Sequence, residues 1–380
     1  MTADLVKREH GVYRRPVRLR VLLLLALVLA LVAAACAGEE AADVEGETPE
    51  PAETESDDEV EDADDPAEDD PAEEEAAENG VVEDATGDLR ISIQPGIAYA
   101  PFRVMAELGW VEEAFPNMDV QWEQLASGAA IRDAMIAGDL QVGVAGVGPW
   151  LVGHDAGVGW KALSALADHD IWVMAMDDDI QSLADLDADS SIAMPGPDSV
   201  QSVALRKAAD LELGDPLAFE QNIVAMPHPD GVASLLGGQI TVHATSAPFQ
   251  YQLRDEGAHS IASSWDSFGQ HSFVGVMVIE DYYFENEEVM NRFYELVVDA
   301  AQFVSDNPEE AAEILSEAEG GDPSAETYLG WLQEDGLEFN TVPSQVLEFG
   351  AFMAEIGLIG EAPEDIDDLI LPTIQGQGAS

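Results

Sequence analysis

Four short stretches have residue types suited to gripping a small polar molecule. Ser127-Gly128-Ala129, Gly146-Val147-Gly148-Pro149, Asp198-Ser199 and Thr245-Ser246-Ala247-Pro248 each stand where an apolar, strand-like run gives way to a helical one. The first turn of a helix carries N–H groups with no acceptor inside the helix, together with the positive end of its dipole, so it attracts anions and polar oxygens. Pro149 suits such a first turn, where a missing N–H costs nothing. Ser, Thr, Asp and Gly are favoured at helix starts whatever the function. Each stretch alone therefore reads equally as a cap, and only their convergence makes a site. Ser127, Gly128, Gly148, Ser199, Gln201 and Ser246 are the candidate polar contacts.

Aromatic residues flank the same stretches: Tyr99, Phe102, Trp150, Phe249 and His271. Pockets for organic ligands are lined this way, with few polar groups. Phe102 and Trp150 are expected in the core, and Tyr99, Phe249 and His271 in the pocket. Arg103 and Arg132 are the cations nearest these stretches, but both fall inside helices rather than at their starts, which favours surface ion pairs. The histidines are scattered without HxxxH or HxH spacing, so no metal site is expected. Asp168-His169-Asp170 is a tight cluster that reads as a surface loop. There is no GxSxG and no Walker A pattern. No catalytic residue and no cofactor are expected: the chemistry on offer is binding.

Alternating strands and helices must position these residues. Strand patterns cover 89–94, 119–124, 142–145 and part of 161–176, with helical patterns at 100–110, 129–137 and 149–154. A second series has strands at 191–194, 223–225 and 242–245 and helices at 199–211, 230–236 and 247–256. A strand at 273–279 follows, then helices at 287–305, 308–317, 325–334 and 343–356. Such βαβ series build mostly parallel sheets covered by helices, an α/β architecture.

The rest of the chain says where this body works. The 380 residues carry a net charge of −63, which repels nucleic acid and anionic lipid headgroups. So dense an acidic surface suits high salt, where repulsion is screened to about 3 Å at 1 M. Residues 1–35 read as a signal peptide: Lys7, Arg8, Arg14, Arg15, Arg18 and Arg20 precede an apolar run at 21–32 that is too short to span a bilayer. Small residues lead to Cys36, the single cysteine. Its place resembles the lipobox of bacterial lipoproteins, although Ala33 stands where Leu is commonest. That resemblance implies a lipid on Cys36 anchoring the protein to the cell membrane from outside the cytoplasm. Residues 36–88 are dominated by Glu, Asp, Ala and Pro with no Lys, Arg or aromatic residue. They read as a disordered acidic tether.

Four motifs in order carry a wider resemblance: ISIQPGIAYAPF at 91–102; Ala126-Ser127-Gly128-Ala129 followed by AGDLQVG at 137–143; IAMPGPDSVQSV at 192–203; and HPDGVASLLGGQITVHATSAPFQYQ at 228–252. Residues 89–370 resemble the NitT/TauT-type solute-binding proteins, which serve ABC importers of nitrate, taurine and sulfonates. One Asp of that pattern is missing, where Gln239-Ile240-Thr241-Val242 stands. The resemblance implies a two-lobed, type II periplasmic-binding-protein-like fold with a ligand cleft between the lobes. Lobe one takes 89–176 and 272–380, including the C-terminal helices, and lobe two takes 177–271. It further implies a monomer that captures a small, anionic solute and hands it to ABC permease subunits. Close relatives bind thiamine-precursor pyrimidines, so an aromatic heterocycle is the alternative ligand, and a sensor or an enzyme on the same fold are alternative roles.

Overall fold

The computed structural model describes residues 80–380. The expected signal peptide, Cys36 and most of the expected tether lie outside the described residues.

The chain enters the fold earlier than Leu89. Val82 donates to the Ala114 carbonyl at 2.8 Å, and Arg292 Nε donates to the Gly80 carbonyl at 2.6 Å. Two valines, Val81 and Val82, interrupt the acidic run, and Val82 packs against the core. Strand β1 (Gly87–Ile93) runs parallel to β2 (Met118–Gln124), pairing Leu89 with Val120 and Ile91 with Trp122. Between them lie α1 (Ala100–Leu108) and α2 (Trp110–Ala114), separated by Gly109 in the left-handed conformation. Helix α3 (Gly128–Ile136), the fully buried β3 (Val142–Gly146), α4 (Val147–Asp155) and β4 (Trp160–His169) follow.

At Asp170 and Ile171 the chain crosses to a second sheet, about six residues before the 176/177 boundary that the family resemblance implies. Strand β5 (Trp172–Ala175) follows β4 after only two residues, yet the two lie in different sheets. Lobe two continues with β6 (Ile192–Met194), α5 (Val200–Leu213), β7 (Ile223–Ala225), α6 (His228–Leu236), β8 (Val242–Thr245), α7 (Phe249–Asp255) and β9 (His259–Ser263). Helix α8 (Ser264–Phe268) leads back to β10 (Ser272–Ile279) in the first sheet. Helices α9 (Glu280–Glu285), α10 (Glu287–Asp306), α11 (Pro308–Ala318) and α12 (Ala325–Leu332), strand β11 (Leu337–Glu338) and α13 (Val346–Glu355) complete lobe one.

The first sheet has the order β11-β4-β10-β3-β1-β2 and the second β7-β6-β8-β5-β9. In each, the strand arriving from the other lobe runs antiparallel to its neighbours: β10 against β3 and β4, β5 against β8 and β9. The parallel strands β3, β1 and β6, β8 end at the gap between the lobes, where α/β folds place ligands. Lobe two has its own small apolar clusters, but Val200, Val203, Ala204, Ala247 and Tyr251 pack into the lobe-one cluster. The lobes are therefore closed on one another.

The Asp168-His169-Asp170 cluster is not a surface loop. Asp168 is 2% exposed and His169 not at all. Their partners arrive from β10, β11 and the returning crossover, so three polar residues that look solvated in sequence form the junction of the two lobes.

Candidate functional site

A cavity of about 200 Å³ lies between the lobes. Lobe one contributes Gln94 and Pro95 from the end of β1, Tyr99, the Ser127-Gly128-Ala129 start of α3, Gly146, Pro149 and Phe273. Lobe two contributes the 195–201 loop with the start of α5, Ala225, His228 and Ser246. Ser127, Gly128, Ser199, Gln201, Ser246 and Tyr99, six of the sequence candidates, meet here although 147 residues separate the first from the last.

The three serines differ in what their hydroxyls have left to give. Ser199 Oγ accepts from the Ser202 N–H at 3.2 Å and donates to the Gly196 carbonyl at 2.7 Å, so its proton is committed to its own loop. Ser127 Oγ accepts from the Ala130 N–H at 3.2 Å, and its proton is unspent among the described residues. Ser246 is 3% exposed, and among the described residues its hydroxyl has no partner. Ser127 and Ser199 are thus caps as well as wall residues. Gly128 permits the wall: a Cβ there would lie 2.7 Å from Pro149 Cγ, so only glycine lets the starts of α3 and α4 close together.

Gln201 and His228 form a polar pair on the lobe-two side. The Gln201 Nε2 donates to His228 Nε2 at 3.2 Å, which makes that ring nitrogen an acceptor and puts the proton on Nδ1. Nδ1 faces Thr245 Oγ1 at 3.0 Å and His243 Nε2 at 3.2 Å. Burial, followed by the nearby His243 and His169, holds the His228 pKa well below its ordinary value, so the ring is neutral. Tyr99 is 3% exposed; burial raises its phenol pKa, opposed by a hydrogen bond with Gln94, so it too stays neutral.

Three candidates stand elsewhere. Phe249 stacks on the His228 ring at 5.2 Å and 23°, supporting the wall from behind. Gly148 is a contact between lobes rather than a ligand contact, for a Cβ there would lie 2.4 Å from the Asp198 carbonyl. His271 is fully buried away from the cavity, with Nε2 2.8 Å from Ser264 Oγ and Nδ1 3.0 Å from the Ser272 carbonyl. Burial lowers its pKa to about 4. Phe102 and Trp150 are core residues, at 0% and 1% exposure.

The electrostatics of the wall are those of a neutral site with one carboxylate. Asp198 lines the cavity, and its Oδ2 lies 3.3 Å from Arg132 Nη1 across the lobe boundary. Arg132 is spent there and on Asp133 at 3.8 Å, and Arg103 is paired with Glu319. No Lys or Arg lines the cavity. An anion would therefore be held by first-turn N–H groups of α3 and α5, not by a formal charge. Among the described residues no cluster of three His, Cys, Asp or Glu is placed to hold a metal.

Sequence reasoning missed Gln94, His228 and Phe273. Gln94 closes a parallel strand, where α/β sites gather. His228 opens a helix behind Pro227 within one of the quoted motifs. Phe273 carries no local signal, because it reaches the cavity only through the antiparallel return of β10.

The family model described as NMT1-like matches residues 84–317. No curated protein matches the chain. Among solved structures, the aliphatic sulphonate binding protein SsuA of Escherichia coli superposes with a TM-score of 0.61 at 16% identity, over 75% of this chain and 98% of that one. The nitrate-binding protein NrtA of Synechocystis gives 0.62 at 15%, over 74% and 84%. The ligand-binding component of an ABC-type import system from Staphylococcus aureus gives 0.62 at 12%, over 78% and 99%. At these identities the likeness is one of fold: two lobes of the periplasmic-binding-protein type.

Proposed function

The chain belongs to the NMT1-like family, and from that membership and its inter-lobe cavity we propose that it is the extracytoplasmic solute-binding component of an ABC importer. The observation that carries the reading is the inter-lobe cavity itself, about 200 Å³ at the ends of the parallel strands, walled by both lobes. A site shared between lobes is filled by closure, so ligand binding becomes a change of shape that a membrane partner can read. The volume is below the roughly 300–1,000 Å³ of drug-sized sites, which restricts the ligand to a small solute. The solved neighbours named for sulphonate and nitrate fit that size.

Two ligand classes suit the walls. A small oxyanion or sulfonate would rest on the N–H groups of Ala129, Val200 and Gln201 and the Ser246 hydroxyl. An uncharged polar heterocycle would rest on Tyr99, Gln201 and His228. The second is favoured by one observation: Arg132, the cation that reaches the cavity wall, is already paired with the lining Asp198, so an anionic ligand would be buried without a positive partner of its own, which is costly. The reading is of binding without chemistry, and Cys36 behind its apolar run supports a lipid anchor.

Thermal shift followed by calorimetry, with nitrate, methanesulfonate, taurine and an uncharged aminopyrimidine, tests the proposal. Binding of one class with a 1:1 stoichiometry and compaction in small-angle scattering is expected. Failure of all such solutes to bind or compact the protein would remove the transport reading.

A further inference from the structure

We propose that His169 is a positioning residue for the cavity, holding the Ser246–Ala247 wall of lobe two onto lobe one. Its ring is fully buried at the end of β4, next to the first crossover. Nε2 accepts the Ala247 N–H at 2.7 Å, and Nδ1 lies 2.8 Å from the Gly336 carbonyl. A backbone N–H can only donate, so Nε2 carries no proton and the Nδ1–H tautomer is imposed, donating to Gly336. The ring packs edge-on to Phe273 at 5.6 Å and Tyr251 at 6.4 Å, and Phe273 is itself a wall of the cavity.

The Ala247 peptide is gripped by lobe one at both ends. Its N–H goes to His169, and its carbonyl accepts from the Ile97 N–H at 3.3 Å, two residues before Tyr99. Ser246, the one of the three cavity serines whose hydroxyl has no partner among the described residues, precedes this pinned peptide. His169 thus reaches the cavity by three routes: through Phe273, through Ala247 to Ser246, and through Ala247 to the Ile97–Tyr99 turn. Asp170, the next residue, accepts from Ser263 and Ser264 Oγ at 2.7 and 3.2 Å and from the Trp265 N–H at 3.0 Å, tying down the returning crossover. The pin therefore stands on the hinge, where relative motion of the lobes is least.

The two nitrogens can be separated by substitution. In His169→Gln the amide oxygen falls near the Nε2 position and can still accept from Ala247. In His169→Asn the amide falls near Nδ1, so only Gly336 keeps a partner. Gln is the larger by one methylene, so His169→Leu, which keeps bulk near the ring but has no acceptor, is the packing control: it should exchange like His169→Asn where the acceptor matters and like His169→Gln where volume alone does. Hydrogen–deuterium exchange of the full-length protein without ligand reads the difference. His169→Asn should speed exchange of residues 246–250 and 97–99 by up to about tenfold, and His169→Gln by about threefold or less. Equal acceleration in both variants, or none in His169→Asn, overturns the assignment. Should either variant fail to fold, the ring ¹⁵N shifts of the wild type decide: they should report an Nδ1–H tautomer with Nε2 accepting, and an Nε2–H ring refutes the pin. These measurements need no ligand, so the pin can fail while the transport reading stands, and the reverse.

Discussion

Replacing the cavity serines one at a time separates binding from capping. Ser246→Ala removes a hydroxyl with no partner among the described residues, so the fold should lose almost nothing. If that hydroxyl meets the ligand, the cost is that of one hydrogen bond: about 0.5–1.5 kcal/mol to a neutral group, or about 1.5–3 kcal/mol to a charged one. Affinity should then fall by about twofold to tenfold for an uncharged ligand and about tenfold to a hundredfold for an anion. Ser199→Ala is the converse. Its hydroxyl caps α5 through Ser202 and is spent on Gly196, so its loss should cost about 0.5–2 kcal/mol of stability, a few degrees in melting temperature, and little affinity. Ser127→Ala, a cap with its proton still available, should show part of each effect. Calorimetric titration and melting curves on the three variants read both quantities. Normal binding by Ser246→Ala, or a loss in Ser199→Ala that exceeds it without a drop in melting temperature, would refute the division of labour drawn from the hydrogen bonds.

Other perturbations follow from the same geometry. Asp198→Asn should raise affinity for anionic solutes relative to amine-bearing ones of similar shape, because it removes the cavity's single carboxylate; an unchanged ratio in competition titrations would place Asp198 outside the ligand's reach. His169 and His271, with pKa lowered to about 4, His243, lowered to about 3, and His228 all stay neutral in the fold, while the unfolded chain protonates its histidines near 6.5. The unfolded state thus binds more protons below that pH, so stability should fall as pH drops from about 6.5 to 5, before most carboxylates titrate. Melting temperatures in that window should decline, and His271→Asn should flatten the decline by about one proton's worth; a flat wild-type profile would contradict the buried, neutral rings. Cys36→Ser should move the protein from the membrane to the soluble fraction, and continued partition with membranes would reject the lipid anchor.

Local chemistry was written plainly in the sequence. Alternation and apolar runs mark the strands, caps such as Ser127 and Ser199 mark where helices begin, and these handovers are where an α/β fold gathers a ligand. That is why six of the proposed contacts share one cavity. What the sequence by itself could not determine depends on partners far along the chain. The run from Trp160 to Ala175 is interrupted by Asp168-His169-Asp170, but nothing local says that its two halves part company: only their pairing with different strands places them in different sheets. Arg103 and Arg132 read as ion-pair residues from their places inside helices, but only folding names their partners, Glu319 and Asp198, 216 and 66 residues away. His169 looked solvated beside two aspartates, yet it is enclosed by groups 78 and 167 residues distant. Short-range signals report conformations that a residue and its neighbours can reach alone. Burial, ion pairing and tautomer are set by which surfaces the closed lobes bring together, and only the tertiary structure decides that.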